Sequence, residues 1–211
     1  IVSNSGGANG VYFNSGATGS STLADGKTIT LGAGGFTAGN LSLLRFTQIG
    51  ATAQSLNPTG TTNLIVGPAS QFDGNVSFIS PRLHLNGCTY GGTGTFEKTG
   101  DLDDAGTGGN IFTGVTTITN SGLRYLLLGN GTRDQFLSTT TFNNTGSYRI
   151  YFAFSHAGQT TEFASDLILN TNKSGGTDQW SYLVAEGANT GISVAGDLTI
   201  NCAGTLQSNH R

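Results

Sequence analysis

Charged residues are scarce in this chain of 211 residues: Asp, Glu, Lys and Arg make up only 10% of it, and the formal net charge is −3. An ordinary soluble domain carries roughly 25% charged residues. With so few lysines and arginines there is no basic stripe to hold phosphate groups, so we expect no nucleic-acid partner. No apolar run approaches the about 20 residues of a membrane-spanning helix, so we also expect no membrane span.

Methionine is absent and cysteine occurs only twice, as Cys88 and Cys202. Two cysteines do not form a disulfide framework. In stacked coils they would lie about five coils apart, on the order of 20 Å, whereas a disulfide needs Cα atoms within about 7 Å. We expect two small, half-buried side chains, with pairing between chains as the alternative. No signal peptide is visible, and we expect a segment of a longer polypeptide whose targeting signals lie elsewhere.

Helix-forming patterns are almost absent as well. Few windows place apolar residues three and four positions apart, and Gly, Thr, Ser and Asn interrupt almost all of them. Short runs such as residues 28–31, 76–79 and 83–85 instead alternate or are rich in strand-forming residues. Hydrophobic residues make up 36% of the chain and fall in such regularly placed runs, which argues against disorder.

An internal repeat of about 24 residues is the strongest feature of the chain. Each copy starts with a phenylalanine, reaches an apolar strand position about six residues later, and continues with an asparagine, a Gly-containing turn and a second apolar run. The three clear copies contain Phe112, Ile118 and Asn120, then Phe136, Phe142 and Asn143, then Phe163, Leu169 and Asn170. A fourth copy begins near Gly196. We expect the asparagines to occupy turns, where they tolerate left-handed φ and form ladders between coils.

A repeat of this length with strands and no helices is typical of stacked coils. It predicts an all-β fold, a right-handed parallel β-helix or β-solenoid of about nine coils. We expect residues 1–211 to be a single β-solenoid segment and one super-repeat of a longer tandem array, since the first residues continue the pattern that breaks off at the last. Residues 41–100 are less regular, and we expect coils of different corner geometry there rather than a second domain.

Four phrases of the sequence carry a family resemblance: TTITNSG…YLLLGN, TTFNNTGS…IYFAFSHAG, SSTLADGKTITLG…GFTAGNLSL and DDAGTGGNIFTG. They resemble the tandem β-solenoid repeats of giant cell-surface adhesin and filament proteins of Bacteroidota, over nearly the whole chain. The resemblance implies an extracellular, cell-surface location and export by the type IX route. It also implies a structural or adhesive repeat of a long filament that attaches cells to surfaces, to other cells or to prey. It carries no catalytic residues with it.

One acidic cluster is the only concentration of charge. Asp101, Asp103 and Asp104, preceded by Glu97, offer oxygen ligands close enough in sequence to hold Ca²⁺. The match to an EF-hand loop fails, because Ala105 stands at the third ligand position and no glutamate follows. A solvated corner loop is the simpler interpretation, and no other cofactor is expected.

No constellation of catalytic side chains stands out, so we do not expect an enzyme. Glycan chemistry on a β-helix needs paired carboxylates, or a basic residue beside carboxylates. The histidines His84, His156 and His210 are scattered. Two alternatives to a filament stay open: a carbohydrate-binding β-helix module, for which Trp180 is a lone candidate, and a polysaccharide-degrading β-helix enzyme.

The second strand of three consecutive repeats is apolar on both faces, and we name these residues the assembly stripe. They are Tyr125, Leu126, Leu127 and Leu128, then Ile150, Tyr151, Phe152 and Ala153, then Tyr182, Leu183 and Val184. One face of such a strand fills the interior, and the other leaves an apolar patch outside. We hypothesise that this patch packs against another solenoid, so that copies of the chain or adjacent repeats form a homo-oligomeric fibre. Cell-surface or glycan targets are a further expectation for the partners of the protein. With Arg124 and Arg149 pointing outward, the facing set is Leu126, Leu128, Tyr151 and Ala153. A loop of the same chain that covers the stripe is the alternative.

Overall fold

The computed structural model describes residues 10–14, 18–37, 39–155, 158–171, 183–186 and 191–202, and the side chains of all of these except 183–186 and 202. Within these residues the chain forms strands and no helix. The first eleven strands are β1 (Val11–Phe13), β2 (Ser21–Leu23), β3 (Asn40–Leu43), β4 (Phe46–Gln48), β5 (Gln54–Leu56), β6 (Asn63–Val66), β7 (Ser70–Phe72), β8 (Val76–Ser80), β9 (Arg82–Leu85), β10 (Cys88–Tyr90) and β11 (Gly94–Lys98). The others are β12 (Ile111–Phe112), β13 (Thr116–Asn120), β14 (Leu126–Leu127), β15 (Gln135–Phe136), β16 (Thr140–Asn144), β17 (Ile150–Phe154), β18 (Thr160–Phe163), β19 (Leu167–Thr171), β20 (Leu183–Glu186), β21 (Gly191–Val194) and β22 (Leu198–Cys202).

These strands form four sheets in which every described pair is parallel. One sheet has eight strands in the order β2-β4-β7-β10-β12-β15-β18-β21, and another has seven in the order β22-β19-β16-β13-β11-β8-β5. Two smaller sheets have the orders β1-β3-β6-β9 and β14-β17-β20. Strands that follow one another in sequence always lie in different sheets, so the chain passes from one sheet to the next. Within each sheet, a strand pairs with the strand at the equivalent position of the preceding coil. This all-β, parallel arrangement is consistent with the predicted β-solenoid.

The distance along the sequence between stacked positions varies from one part of the chain to another. The amide of Phe46 donates to Ser70 Oγ, 24 residues later, which matches the predicted period. The shortest such step is 18 residues, from Asn75 to Thr93, and the longest is 33, from Ile150 to Leu183. The extra residues enter at the corners between sheets, because the paired strands themselves keep their register.

A column of aromatic rings fills the interior behind the eight-stranded sheet, and we name it the aromatic ladder. It consists of Phe72, Tyr90, Phe112, Phe136 and Phe163. The rings of Phe112 and Phe136 are stacked with centroids 4.7 Å apart and planes 3° apart, and those of Phe136 and Phe163 are 4.8 Å apart. The phenylalanines of the predicted repeat therefore occupy equivalent positions, as expected of stacked coils.

The seven-stranded sheet packs its own apolar side chains against the aromatic ladder from the opposite side. Phe142 meets Phe136 edge to face at 5.8 Å and 78°. Its column also contains Ile118 and Leu169, each paired in register with Phe142. Aromatic pairs of this kind add about 0.5–1.5 kcal/mol to the effect of buried area.

The asparagines of the repeat lie in strands, so the prediction that they occupy turns with left-handed φ is wrong. Asn170 Nδ2 donates to Asn143 Oδ1 at 2.7 Å, and Asn201 Nδ2 donates to Asn170 Oδ1 at 2.8 Å. The expected ladder is therefore present, on the outer side of the seven-stranded sheet. Asn120 belongs elsewhere: it pairs with Asn144 and is fully buried.

Buried polar side chains supply hydrogen bonds at the corners, where the backbone hydrogen bonds of the sheets end. At the end of the seven-stranded sheet, Ser80, Lys98, Asn120 and Asn144 form a column of side chains that are all fully buried. Asn120 Nδ2 donates to the carbonyl oxygens of Arg124 and Arg149 at 2.9 and 3.2 Å. An unpaired buried polar group costs about 1–3 kcal/mol, so these bonds stabilise the corner.

A second polar column lies where the chain enters the eight-stranded sheet. The amide of Cys88 donates to Asn110 Oδ1 at 3.1 Å, and the amide of Asn110 donates to Asp134 Oδ1 at 2.8 Å. Burial raises the pKa of Asp134 to about 6, although the hydrogen bonds from Asn110 oppose the shift. Burial also raises the pKa of the free thiol of Cys88, which makes that residue unsuited to pairing between chains. Cys202 lies in β22, and its side chain is outside the described residues.

The less regular stretch 41–100 joins the same sheets through tighter corners. Arg45 and Ala69 adopt left-handed φ values of 47° and 56°. Gly67 has a φ of 104°, and a Cβ there would lie 1.7 Å from the carbonyl oxygen of Asn86 in the next coil. Only glycine fits at this close approach.

The aromatic ladder makes one prediction about stability. We expect Phe136→Ala to lower the free energy of unfolding by about 3–5 kcal/mol, because it removes a fully buried ring that stacks on two others. The neighbouring Leu137, which is 46% exposed, is the matched control, and Leu137→Ala should change the value little. Chemical denaturation followed by circular dichroism measures both, and equal losses would contradict the packing described above.

Candidate functional site

The two smaller sheets lie on one side of the molecule and are joined by residues 103–108. The amide of Gly108 donates to the carbonyl oxygen of Leu85 at the end of β9, and the amide of Asp104 donates to the carbonyl oxygen of Tyr125 beside β14. Residues of β9, 103–108, β14 and β17 therefore follow one another on a single side. We name the outward side chains of this region the outer face.

The outer face begins with charged residues and continues with aromatic ones. In β9, Leu83 and Leu85 are buried in the core, so Arg82 and His84 alternate with them and point outward, half-buried. Asp103 is half-buried in the next coil, and Tyr125 is half-buried beside the core residue Leu126. The outer face consists of Arg82, His84, Asp103, Tyr125, Leu127, Tyr148, Arg149, Tyr151 and Phe154.

The facing set proposed from the sequence is wrong in three of its four members. Leu126, Leu128 and Ala153 are all fully buried and belong to the core cluster, as do Ile150 and Phe152. Tyr151 is half-buried on the outer side, and Leu127 is buried but lies outside the core cluster. The assembly stripe is therefore mostly interior, and its outward members are Tyr125, Leu127 and Tyr151.

Two local features of the backbone changed which side chains point inward and which point outward in and around β14 and β17. Arg124 is exposed, but it lies in the bend before β14, so it does not set the parity of the strand. In β17, the pairing with β20 jumps from Tyr151 to Ala153, and this irregularity places Phe152 and Ala153 both inside. A shift of one residue exchanges the inner and outer faces of a strand. Tyr182 lies outside the described residues, and Leu183 and Val184 lie in β20 without described side chains.

Aromatic rings pack against each other in the part of the outer face that lies at β14 and β17. The rings of Tyr125 and Tyr151 meet edge to face at 5.6 Å, and those of Tyr151 and Phe154 at 4.9 Å. Tyr148 lies 6.2 Å from Tyr125. The Arg149 guanidinium lies 5.6 Å from the Tyr151 ring and donates to its hydroxyl at 2.7 Å. These contacts hold the rings in fixed orientations.

Asp104 is the hub of the charged part of the site. Its Oδ1 accepts the amides of Ala105 and Gly106, and its Oδ2 accepts the amide of Leu127 at 3.0 Å. Burial raises the pKa of Asp104 to about 7, although these hydrogen bonds oppose the shift. His84 Nε2 lies 3.5 Å from Asp104 Oδ1. Burial and the nearby Arg82 charge lower the pKa of His84 to about 4, so its imidazole is neutral at neutral pH.

Lys98 adds a buried cation behind Asp104. Its Nζ donates to the carbonyl oxygens of Gly100 and Arg124 at 2.8 and 3.3 Å. Burial lowers the pKa of Lys98 to about 8, and the charges of Asp104 and Asp103 act against this shift. The fold thus brings a buried lysine to the corner that contains Asp104, which we did not expect from the sequence: Lys98 bonds to the carbonyl oxygen of Arg124, and the amide of Asp104 bonds to that of Tyr125. Neither Lys98 nor Asp104 reaches the surface, so this pair supports the corner rather than contacting a ligand.

The three aspartates proposed as a calcium site have different environments. Asp101 is exposed, Asp103 is half-buried, and Asp104 is buried with both oxygens accepting backbone amides. Among the described residues, no group of three or more His, Cys, Asp or Glu side chains is arranged to hold a metal ion. Asp104 serves the corner as a hydrogen-bond acceptor, which removes the central member of the proposed ligand set.

Three polar atoms of the outer face are buried without a hydrogen-bond partner: Arg82 Nε, His84 Nε2 and Asp103 Oδ1. They lie in one region, because Asp103 precedes Asp104, whose Oδ1 is 3.5 Å from His84 Nε2 and whose amide donates to the carbonyl oxygen of Tyr125. Burial is the main cause of the raised pKa of this tyrosine. Nothing in the sequence pointed to Arg82, and His84 stood out only as one of three scattered histidines. His84 and Asp104 are about 20 residues apart in sequence, which is close to the length of one coil, and this spacing is the signal that links them.

The fold and this site define the chain as a parallel, stacked-strand protein with an aromatic and charged side face. Comparisons with protein-family models, with curated protein sequences and with solved structures gave no match. Among the residues that the structure describes, none forms a helix long and apolar enough to cross a membrane.

The buried carboxyl of Asp104 predicts a pH dependence of stability. In the fold this group keeps its proton up to about pH 7, whereas in the unfolded chain it loses it near its usual value of 3.8. Between these values the folded chain binds more protons, so the stability contributed by Asp104 falls as pH rises. We therefore expect the stability of the native chain relative to Asp104→Asn to be greatest near pH 4 and to decrease towards pH 7.

Chemical denaturation at several pH values between 4 and 7 measures this difference. The exposed Asp101 lies three residues earlier, and Asp101→Asn is the matched control, for which the difference should stay nearly constant. His84 has the opposite effect, because its lowered pKa makes stability rise as pH rises from about 4 to 6.5. This effect is common to the native chain and both variants, so it does not enter the difference between them. A difference that grows towards pH 7 would contradict the raised pKa of Asp104.

Proposed function

We propose that the chain is a structural repeat of a long extracellular filament at a cell surface, used for attachment to surfaces, cells or prey. In this proposal the coils wind right-handedly, number about nine in the 211-residue segment, and continue into further repeats or copies. The observation that carries the proposal is the apolar end of the stack at β21 and β22.

The last described coil presents core positions to its open side. Leu198 pairs in register with the fully buried Leu167, yet Leu198 is 51% exposed. Ile200 continues the column of Phe142 and Leu169 and is 60% exposed. An apolar column that ends uncovered is a contact surface for another apolar coil.

The first described coil has the complementary character. Val11 and Phe13 pair with Leu41 and Leu43, which are buried, but they are themselves only half-buried. Within the described residues, β1 and β21 each pair on one side only, so each leaves a row of free backbone donors and acceptors. Free edges of this kind pair with other strands. The occupant that fits both ends is the opposite end of a second copy or of the next repeat.

The sides of the stack support a structural role, because they carry few charges and because equivalent side chains of successive coils form hydrogen bonds with one another. The ladder through Asn143, Asn170 and Asn201 extends in the direction of stacking and is ready to continue at Asn201, which is exposed. Such side-chain ladders add cohesion to stacked strands. The resemblance to cell-surface filament repeats supports the extracellular location.

Substitution at the apolar end tests the proposal. We expect the 211-residue chain to associate end to end as its concentration rises, with rods visible by electron microscopy and a rising mass in sedimentation velocity. Ile200→Ser should abolish this association, because it places a hydroxyl in the contact. Leu123 is equally exposed, at 60%, but lies at a side corner, so Leu123→Ser is the matched control and should associate like the native chain.

Two results would contradict the filament proposal. One is a native chain that stays a single particle at every concentration, which would mean that its own residues cover the end. The other is association that persists in Ile200→Ser and disappears in Leu123→Ser, which would place the contact on the side of the stack.

A further inference from the structure

We propose that the outer face binds a carbohydrate chain, with the Tyr125 ring as the stacking platform and Arg82, His84 and Asp103 as the polar contacts. This inference goes beyond the filament proposal. It concerns the side of the stack, whereas the filament contact concerns the ends, so each can fail without the other. Three features of the outer face support it: half-buried polar side chains, rings in fixed orientations and the spacing of the coils.

The polar side chains define what kind of ligand fits. Arg82 offers donors and Asp103 offers acceptors, whereas His84, whose Nε2 lies 3.5 Å from the buried Asp104 Oδ1, offers its other ring nitrogen. A simple anion would suit Arg82 but not Asp103, and a simple cation would suit the reverse. Hydroxyl groups both donate and accept, so a polyhydroxyl ligand satisfies the whole set. Arg82 and Asp103 are each half-buried, so part of each polar side chain is open to a ligand on the outer face.

The rings supply the apolar half of the site. Tyr125 is half-buried and lies one coil beyond Asp103, since its carbonyl oxygen accepts the amide of the adjacent Asp104. Ring contacts with Tyr148 and Tyr151 hold it in place, so little side-chain freedom is lost when a ligand stacks on it. Ligand sites commonly combine aromatic surface with a few well-placed polar groups. The C–H faces of sugar rings match such a surface, and their hydroxyls match its rim.

The spacing of the coils favours a chain over a single sugar. Arg82 and His84 lie on β9, Asp103 lies in the following coil, and Tyr125 lies one coil further, with Tyr151 beyond it. Stacked strands are about 4.8 Å apart, so this row is on the order of 14 Å long. A row of that length contacts several consecutive units of an oligosaccharide. A repeat that presents such a row once would present it many times along a filament, which raises the avidity for a polymer.

Affinity electrophoresis of the 211-residue chain tests the proposal. The probes are neutral polysaccharides (laminarin, xylan, mannan) and acidic ones (alginate, polygalacturonate), each cast into a native gel at a series of concentrations. We expect at least one of them to retard the native chain, and Tyr125→Ala to weaken that binding at least tenfold. Asp103→Asn keeps the shape of the side chain but replaces an acceptor, and it should weaken binding several-fold.

Tyr12→Ala is the matched control, because Tyr12 is an exposed tyrosine, 46% accessible, on β1, at the edge of its sheet opposite to β9. It should bind like the native chain. Repeating the assay with Ile200→Ser, whose end contact is removed, separates glycan binding from association. Circular dichroism checks that each variant keeps its β content, and Asp103→Asn provides a test should Tyr125→Ala fold poorly.

Three outcomes would overturn the proposal. The first is no retardation by any of the polysaccharides. The second is retardation that Tyr125→Ala and Asp103→Asn leave unchanged. The third is retardation by the acidic polysaccharides alone that disappears on adding salt, because that would show attraction between charges without stacking or hydroxyl recognition.

Discussion

In-register stacking of each coil on the one before it is the constraint on which the rest of the structure depends. Parallel pairing places every inward side chain directly above its equivalent, so the interior is a set of columns rather than a mixed core. The aromatic ladder shows the result: Phe112, Phe136 and Phe163 stack face to face because their strands pair in register. A column excludes a side chain of the wrong size or polarity more strictly than an irregular core does.

The same constraint explains the buried polar residues. Corners interrupt the backbone ladders, and the chain there needs donors and acceptors that water does not reach. Asn120, Asn110 and Asp134 supply them in two columns, each bonding to the backbone of an adjacent coil. Lys98 and Asp104 belong to this scheme, which accounts for two ionisable side chains in the interior of a chain so poor in charge.

Stacking also builds the outer face from residues far apart in sequence. His84 and Asp104 come within 3.5 Å although twenty residues separate them, since they occupy successive coils. A solenoid can in this way keep its ends for assembly and its sides for recognition. The filament contact we propose uses the core columns at Leu198 and Ile200, and the glycan contact uses Tyr125 with Arg82 and Asp103. The two roles are compatible because they use different surfaces of one stack.

The periodic pattern of the sequence was sufficient for the all-β class, the parallel stacking and the equivalence of Phe112, Phe136 and Phe163, because a repeated residue in a stacked fold must meet its own copy. Which members of the assembly stripe point inward and which point outward depended on the tertiary structure. A bend before β14 and an irregular pairing in β17 turned Leu126, Leu128 and Ala153 inward, and neither feature leaves a mark in local composition. The outer face was likewise decided by the fold, because the number of residues from one coil to the next, which varies from 18 to 33, determines which side chains meet.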